Sequence, residues 1–262
     1  MHPALWISKT GLDAQQTDIA VISNNVANAS TVGYKKSRAV FEDLLYQTVN
    51  QAGGVSSSNT KLPNGLNIGA GTKVVATQKM FTQGNMLTTD NSLDLMIEGP
   101  GFFEIQLPDG TAAYTRNGQF TLDDTGQIVT PGSGYVLQPA ITIPDNATSI
   151  TVSAEGEVSV KTPGTADNQV VGQLTMTDFI NPSGLDPMGQ NLYTETGASG
   201  TPIQGTASLD GMGAIRQGAL ETSNVNVTEE LVNLIESQRI YEMNSKVISA
   251  VDQMLSYVTQ NL

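Results

Sequence analysis

With 262 residues the chain has room for two or three domains. Twelve basic and 25 acidic side chains give a formal charge of −13, which speaks against nucleic-acid binding, since phosphate recognition needs clustered cations. No cysteine and one histidine, His2, exclude a Cys-His zinc site, a thiol nucleophile and a histidine-based triad.

The first residues, Met1 to Lys9, carry no basic leader, and the apolar run Ala4-Leu5-Trp6-Ile7 is too short for a signal-peptide core. No stretch approaches the ~18 consecutive apolar residues of a membrane span. These features suggest a cytoplasmic protein, or one exported without a cleaved signal. From Ala4 to Ala29 there is no proline and one glycine, Gly11, and apolar residues recur every seven: Leu5, Leu12, Ile19 and Val26, joined by Ile22 and Ala29. That spacing predicts a coiled-coil-type helix ~39 Å long. Asn24, Asn25 and Asn28 followed by Gly33 read as its stop.

Ser37 to Tyr46 reads as a short helix with Val40, Phe41, Leu44 and Leu45 on one face. Gln51 to Gly71, poor in charge and rich in small polar residues, reads as extended or loop. From about Val74 to Asp178 the period becomes two. Strands are expected at Leu95 to Ile97, Phe102 to Leu107, Ala112 to Thr115, Gln119 to Leu122 and Gln127 to Val129. The turn dipeptides Asp109-Gly110, Asn117-Gly118 and Thr125-Gly126 punctuate them, and a further hairpin turns at Glu155-Gly156. This pattern predicts a meander-type β domain whose regularity fades between Asn181 and Gly213.

At the C-terminal end, Asn224 to Glu230 supplies capping residues and first-turn acids. Strict sevens follow at Val227, Leu234, Tyr241, Ile248 and Leu255, with a second stripe in the later half through Ile240, Met243, Val247, Val251, Met254 and Val258. One stripe buries one face; two adjacent stripes imply more than one neighbour. Residues 1–38 carry a net charge of +2 and residues 220–262 carry −4, which favours pairing of the ends. The fold class is therefore α+β, with N- and C-terminal helices paired in coiled-coil fashion around an inserted, mostly-β domain. Its parts are residues 1–38, an extended segment 39–72, a β domain 73–219 and a terminal helix 220–262.

Two carboxylates would suffice for glycoside hydrolysis, and Asp90, Asp94, Glu98, Glu104, Asp123 and Asp124 lie in or near the β region. Their positions are mostly those of solvated turn acids. Neither a phosphate loop nor a Gly-x-Ser-x-Gly elbow occurs, and no catalytic, cofactor or metal constellation emerges. What remains is architecture. Long helical ends with more apolar stripe than one chain can cover need partners, and copies added head-to-tail would grow into a filament.

Several runs are also similar to a known family. Trp6-Ile7-Ser8-Lys9-Thr10-Gly11-Leu12-Asp13-Ala14, followed by Asn24-Asn25-Val26-Ala27-Asn28-Ala29-Ser30-Thr31-Val32-Gly33-Tyr34-Lys35, resembles the amino-terminal signature of the flagellar rod and hook proteins. Glu221-Thr222-Ser223-Asn224-Val225-Asn226-Val227 and Gln238 to Lys246 resemble the family's other end. Glu98 to Phe103 and Tyr114-Thr115-Arg116-Asn117-Gly118 resemble its central β region.

The resemblance implies a structural, non-enzymatic subunit of a helical homopolymer whose paired terminal helices surround an export channel. It implies proximal rod and hook subunits at the two ends of that polymer, P-ring and L-ring proteins around it, and delivery by the flagellar type III export apparatus. It implies no cofactor. On this reading Leu5, Leu12, Ile19, Ile22 and Val26 pack against Leu234, Tyr241, Ile248 and Leu255. Val247, Val251, Met254 and Val258 meet neighbouring subunits, and Asn25, Asn28, Gly33 and Tyr34 shape the bend out of the first helix. In rod members an insertion near Tyr46 to Gly65 is associated with rigidity, and Gln51, Gly53, Gly54, Ser56, Ser57 and Ser58 lie in that segment. A hook or proximal rod subunit shares the termini and stays open, as does an acidic carbohydrate-binding or carbohydrate-cleaving protein.

Overall fold

Two long helices bracket the chain in the computed structural model, which describes residues 3–51, 55–57, 60–61, 64–164, 168–209 and 211–260. The first, α1, is Pro3–Ala27 and the second, α2, is Val227–Gln260. Asn226 starts α2: its side-chain oxygen accepts the Thr228 N–H at 3.1 Å and its carbonyl accepts the Glu230 N–H at 3.0 Å. Such a cap is worth about 1 kcal/mol. Glu229 and Glu230 fill the first turn, where carboxylates complement the helix dipole.

The chain divides into two units. One comprises Met1–Ala27, Ser37–Lys79 and Asn226–Leu262; the other comprises Asn28–Lys36 and Met80–Val225. In the first unit α1 and α2 pack together, and α1 also packs on an antiparallel ribbon of Ser37–Asp43 with Thr72–Lys79. The ribbon continues as Tyr46–Asn50 with Leu66–Gly69, and Val55–Ser57 pairs with Thr60–Lys61.

The stretch read as a helix from Ser37 to Tyr46 is thus a strand as far as Asp43. Its partner lies some thirty-five residues on, rich in β-branched Thr72, Val74, Val75 and Thr77. A ladder to a distant strand overrides a short local periodicity that fits either period. The helix stop also moves. α1 ends at Ala27, and Gly33 lies in the later turn with φ of 70°, its N–H donating to the Glu221 carbonyl at 2.8 Å.

The second unit is mostly β, with one short 3-10 helix at Pro182–Gly184 among its described residues. Its largest sheet runs Thr121–Leu122, Ile128–Val129, Val136–Gln138, Phe102–Gln106, Ala112–Thr115, Leu192–Thr194, Asp186–Gly189. Thr175–Asp178 pairs with Ile203–Thr206 and with the start of Phe102–Gln106. Separate ladders join Leu95–Glu98 to Ala214–Gln217 and Met86–Thr88 to Ala219–Glu221. Ser149–Val152, Glu157–Lys161 and Gln169–Gln173 form a three-stranded sheet. The expected strands are present, but their order is interleaved rather than a simple meander, and ordered strands continue through the stretch expected to lose regularity. Hairpin turns are local and legible in sequence, whereas the pairing of Ala112–Thr115 with Leu192–Thr194 spans most of the unit.

Phe102–Gln106 explains how the core divides. Side chains alternate across a strand, so Phe103 and Ile105 enter one cluster with Leu95, Phe120, Ile128 and Leu174. Phe102 enters the other, with Tyr114, Phe179, Leu185 and Tyr193. In that aromatic cluster the rings meet edge to face, Tyr114 and Phe179 at a centroid distance of 4.8 Å. Each fully buried ring or branched aliphatic contributes roughly 1.5–3 kcal/mol.

Candidate functional site

In the first unit the contacts between α1 and α2 are polar along a line. Asn25 Nδ2 donates to Glu230 Oε2 at 3.1 Å, and both side chains are buried. One heptad along, Ser237 Oγ donates to Asp18 Oδ2 at 2.7 Å. A further heptad brings Asn244 to Gly11, where a Cβ on the glycine would stand 3.0 Å from the Asn244 amide nitrogen. α1 descends through 25, 18 and 11 while α2 climbs through 230, 237 and 244, so the helices are antiparallel. Asn25 also holds both backbone groups of Ser37: its amide nitrogen donates to the Ser37 carbonyl at 2.8 Å and its side-chain oxygen accepts the Ser37 N–H at 2.9 Å.

The apolar positions singled out in sequence lie around this line. Ile22 and Val251 are buried; Leu5, Leu12, Ile19, Val26, Leu234 and Ile248 are half-buried. Tyr241, Val247, Met254, Leu255 and Val258 are exposed, as are Val232 and Met243. Gln51 is exposed, Ser56 and Ser57 lie in the short strand Val55–Ser57, and Gly53, Gly54 and Ser58 lie outside the described residues. Along Tyr46–Asn50 every residue is exposed, and Leu45 before it is 90% exposed.

The second unit contains Asn28, Gly33 and Tyr34. Asn28 accepts a hydrogen bond from Thr31 Oγ1 at 3.2 Å, and the Tyr34 carbonyl accepts the Asn224 N–H at 3.4 Å. Here, too, is a cluster that apolar periodicity does not reveal. Lys35 Nζ donates to Glu221 Oε1 at 2.5 Å and to the Thr82 carbonyl at 2.8 Å. Glu221 Oε1 also accepts the Gly84 N–H at 2.8 Å, and Arg116 Nη1 lies 3.6 Å from Glu221 Oε2. All three charged side chains are buried.

Two cations therefore share one carboxylate. Burial pushes the Lys35 ammonium below its usual pKa, with Glu221 pulling it back up and Arg116 pushing it further down. Arg116 is pushed down by burial against the pull of Glu221 and Asp178, and its guanidinium stands 5.2 Å over the Phe102 ring. Arg116 Nε and Nη1 and Glu221 Oε2 make no hydrogen bond, so the pair is held by charge and packing. Buried charges in a chain that is only 14% charged are a signal, but a search for hydrophobic stripes passes over them.

Four of the acids weighed for hydrolysis have partners in the fold. Asp94 accepts from Thr89 and Asn91, Glu104 from Thr177 and Gln204, and Asp123 from the Asp124 N–H, while Glu98 lies 3.7 Å from Arg216. Among the described residues no cluster of His, Cys, Asp and Glu could hold a metal ion, and no helix is long and apolar enough to cross a membrane.

Three family models match the chain. They are the flagella basal body rod protein model over residues 6–35, the flagellar hook protein FlgE/F/G D1 domain over 96–160, and the flagellar basal body rod FlgEFG protein C-terminal model over 216–261. The flagellar basal-body rod protein FlgG of Buchnera aphidicola subsp. Schizaphis graminum is 56% identical over 260 residues, covering 99% of this chain and 100% of its own. The FlgG proteins of Borreliella burgdorferi and Bacillus subtilis are 47% and 38% identical, covering 100% and 97% of this chain and 99% and 97% of theirs.

The chain belongs to the flagellar basal-body rod and hook family. It is accordingly a structural protein of the flagellar basal body, of the rod type. Each matched family region supplies one member of the buried cluster: Lys35 from the first, Arg116 from the second and Glu221 from the third. The motifs of the family, distant in sequence, meet at that point. Among solved structures, the Helicobacter pylori flagellar hook protein FlgE2 is 16% identical, with a TM-score of 0.24 over 71% of this chain and 43% of that one.

Proposed function

We propose that this chain is the distal rod subunit, a non-catalytic building block that polymerises into a rigid tube carrying motor torque to the hook. The observation that carries the polymer is the exposed apolar face of α2, where Val232, Met243, Val247, Met254 and Val258 stand open to solvent on a helix already packed against α1. A helix apolar on more than one side is a buried helix, and in a soluble subunit further copies do the burying. The heterologous contact this makes continues as a filament.

On this reading residues 1–38 and 220–262 form the inner, channel-lining part, and 73–219 form the outer part that faces the P-ring and L-ring proteins in the periplasm. The type III export apparatus delivers the chain, and proximal rod and hook subunits meet the two ends of the polymer. Residues 39–72 supply the rod-specific segment. Their exposed Leu45, Tyr46 and Val49 favour docking on neighbouring copies, which would order and stiffen the ribbon.

Concentration-dependent sedimentation of the full chain, with electron microscopy of the pellet, tests this. The parent is expected to give straight tubes, and Val247→Asp with Met254→Asp is expected to stay monomeric at unchanged helix content. A variant that polymerises like the parent overturns the role of this face. Deleting residues 51–64 is expected to give polymers that bend more; unchanged stiffness removes the rigidity role.

A further inference from the structure

The apolar sevens of the two helices have a property that the polar line between them corrects. Leu5, Leu12, Ile19 and Val26 repeat with one period, as do Val227, Leu234, Tyr241, Ile248 and Leu255. Sliding one helix by a heptad, ~10.5 Å, sets apolar residue against apolar residue again. The stripes therefore hold the helices together without defining where they stop.

We propose that Asn25–Glu230, Asp18–Ser237 and Gly11–Asn244 form a register key that admits one antiparallel alignment of α1 and α2. The alternatives fail for stated reasons. A one-heptad slide in one direction brings Asp18 level with Glu230, two carboxylates at a buried seam. The opposite slide carries Glu230 level with position 32, past the end of α1 at Ala27, and away from the Asn25 amide. Removing a donor from a buried carboxylate is unfavourable, as is setting two carboxylates side by side, so both slides are penalised. Gly11 belongs to the key because the close approach of Asn244 leaves little space for a side chain, which accounts for a helix-weakening glycine in the middle of α1. Asn25 ties the same key to the ribbon through both backbone groups of Ser37.

The key is a property of the single chain, and its bearing on assembly rests on the rod reading: the register decides which apolar side chains α2 presents to other copies. The chain has no native cysteine, so introduced pairs report the register cleanly. The experiment is oxidative cross-linking of dilute full-length chain, scored as intramolecular by gel mobility. Gly11→Cys with Asn244→Cys is expected to close at least about ten-fold faster than Gly11→Cys with Val251→Cys, which demands a one-heptad slide. Exchanging the key residues of α2, Glu230→Ser with Ser237→Glu, moves the carboxylate along by one heptad and is expected to reverse that preference, with helix content followed by circular dichroism. Equal rates for the two pairs in the parent overturn the proposal, as does persistence of the 11–244 preference in the exchanged chain. Because the assay is run on monomer, failure of the chain to polymerise leaves it unaffected and is read separately by sedimentation.

Discussion

The Lys35 ammonium and the Glu221 carboxylate are joined across 186 residues of sequence inside the β unit, at 0% and 1% side-chain exposure. Through this pair the segment that brings the chain from α1 is fastened to the segment that leads it to α2. Arg116 adds a second cation to the same carboxylate, so the cluster's charges are unequal in worth. Glu221 neutralises two partners, and Lys35 is one of two.

Removing the shared carboxylate is therefore expected to hurt more than removing either cation. Glu221→Gln keeps the shape and leaves Lys35 and Arg116 facing each other, at a cost of about 3–5 kcal/mol. Lys35→Met leaves the Arg116–Glu221 pair intact and is expected to cost about 1–3 kcal/mol. Urea denaturation of the two variants checks the order, and a Lys35→Met chain less stable than Glu221→Gln contradicts it.

Alkaline stability should bear the mark of two buried phenols. Burial holds the Tyr193 hydroxyl well above its usual value near 10 and pushes Tyr114 up to about 12. A group whose folded pKa is raised contributes stability that is whole below the unfolded pKa and is lost as pH rises through the folded one. Stability of the β unit is expected to fall above pH ~10, and Tyr193→Phe to flatten that fall. The lowered Lys35 ammonium acts in the opposite sense, adding stability as pH rises from its folded value toward 10.5, so Lys35→Met should steepen the alkaline loss. Unfolding midpoints across pH 8–12, an interval of about four units around the tyrosine value, measure both.

Val251 and Met254 sit one turn apart on α2 and differ in exposure, 4% against 57%. Val251→Asp buries a carboxylate at the helix pair and is expected to cost about 3 kcal/mol or more in the monomer. Met254→Asp should leave the monomer within about 0.5 kcal/mol of the parent. Thermal melts followed at the helix signal distinguish the two, and equal losses would show that the second face is covered within the chain.

Two glycines of turn dipeptides should respond differently to alanine. Gly110 has φ of 84° in open space, so Gly110→Ala meets only backbone strain of about 1–2 kcal/mol. Gly118 has an ordinary φ, but its Cβ would overlap the Leu95 carbonyl oxygen, which belongs to rigid backbone. Gly118→Ala is expected to displace Leu95–Glu98 and to lower stability by about 1–3 kcal/mol. A Tyr fluorescence melt with near-ultraviolet circular dichroism would register the displacement as a lost aromatic signal in Gly118→Ala alone.

Local patterns along the chain were enough to define much of this protein. Seven-residue spacing placed both terminal helices, Asn226 and the acids after it marked the start of α2, and alternation with turn dipeptides placed Leu95–Glu98, Phe102–Gln106, Ala112–Thr115, Thr121–Leu122 and Ile128–Val129 within a residue or two. The terminal motifs pointed to the family, which relatives along the full chain then showed. These features are legible because helix caps, turns and amphipathic stripes are set by residues a few positions apart.

The rest depended on contacts between remote segments. Ser37–Asp43 became a strand because Thr72–Lys79 offered it a ladder. Asn117-Gly118 looked like a hairpin turn, but its glycine is needed where the Leu95 backbone passes. Stripes that repeat every heptad fit several alignments equally, so the register of α1 on α2 came from polar side chains that no hydrophobic pattern selects. Lys35, Arg116 and Glu221 meet from three distant stretches of chain, because a buried charge finds its partner wherever the fold brings one within reach.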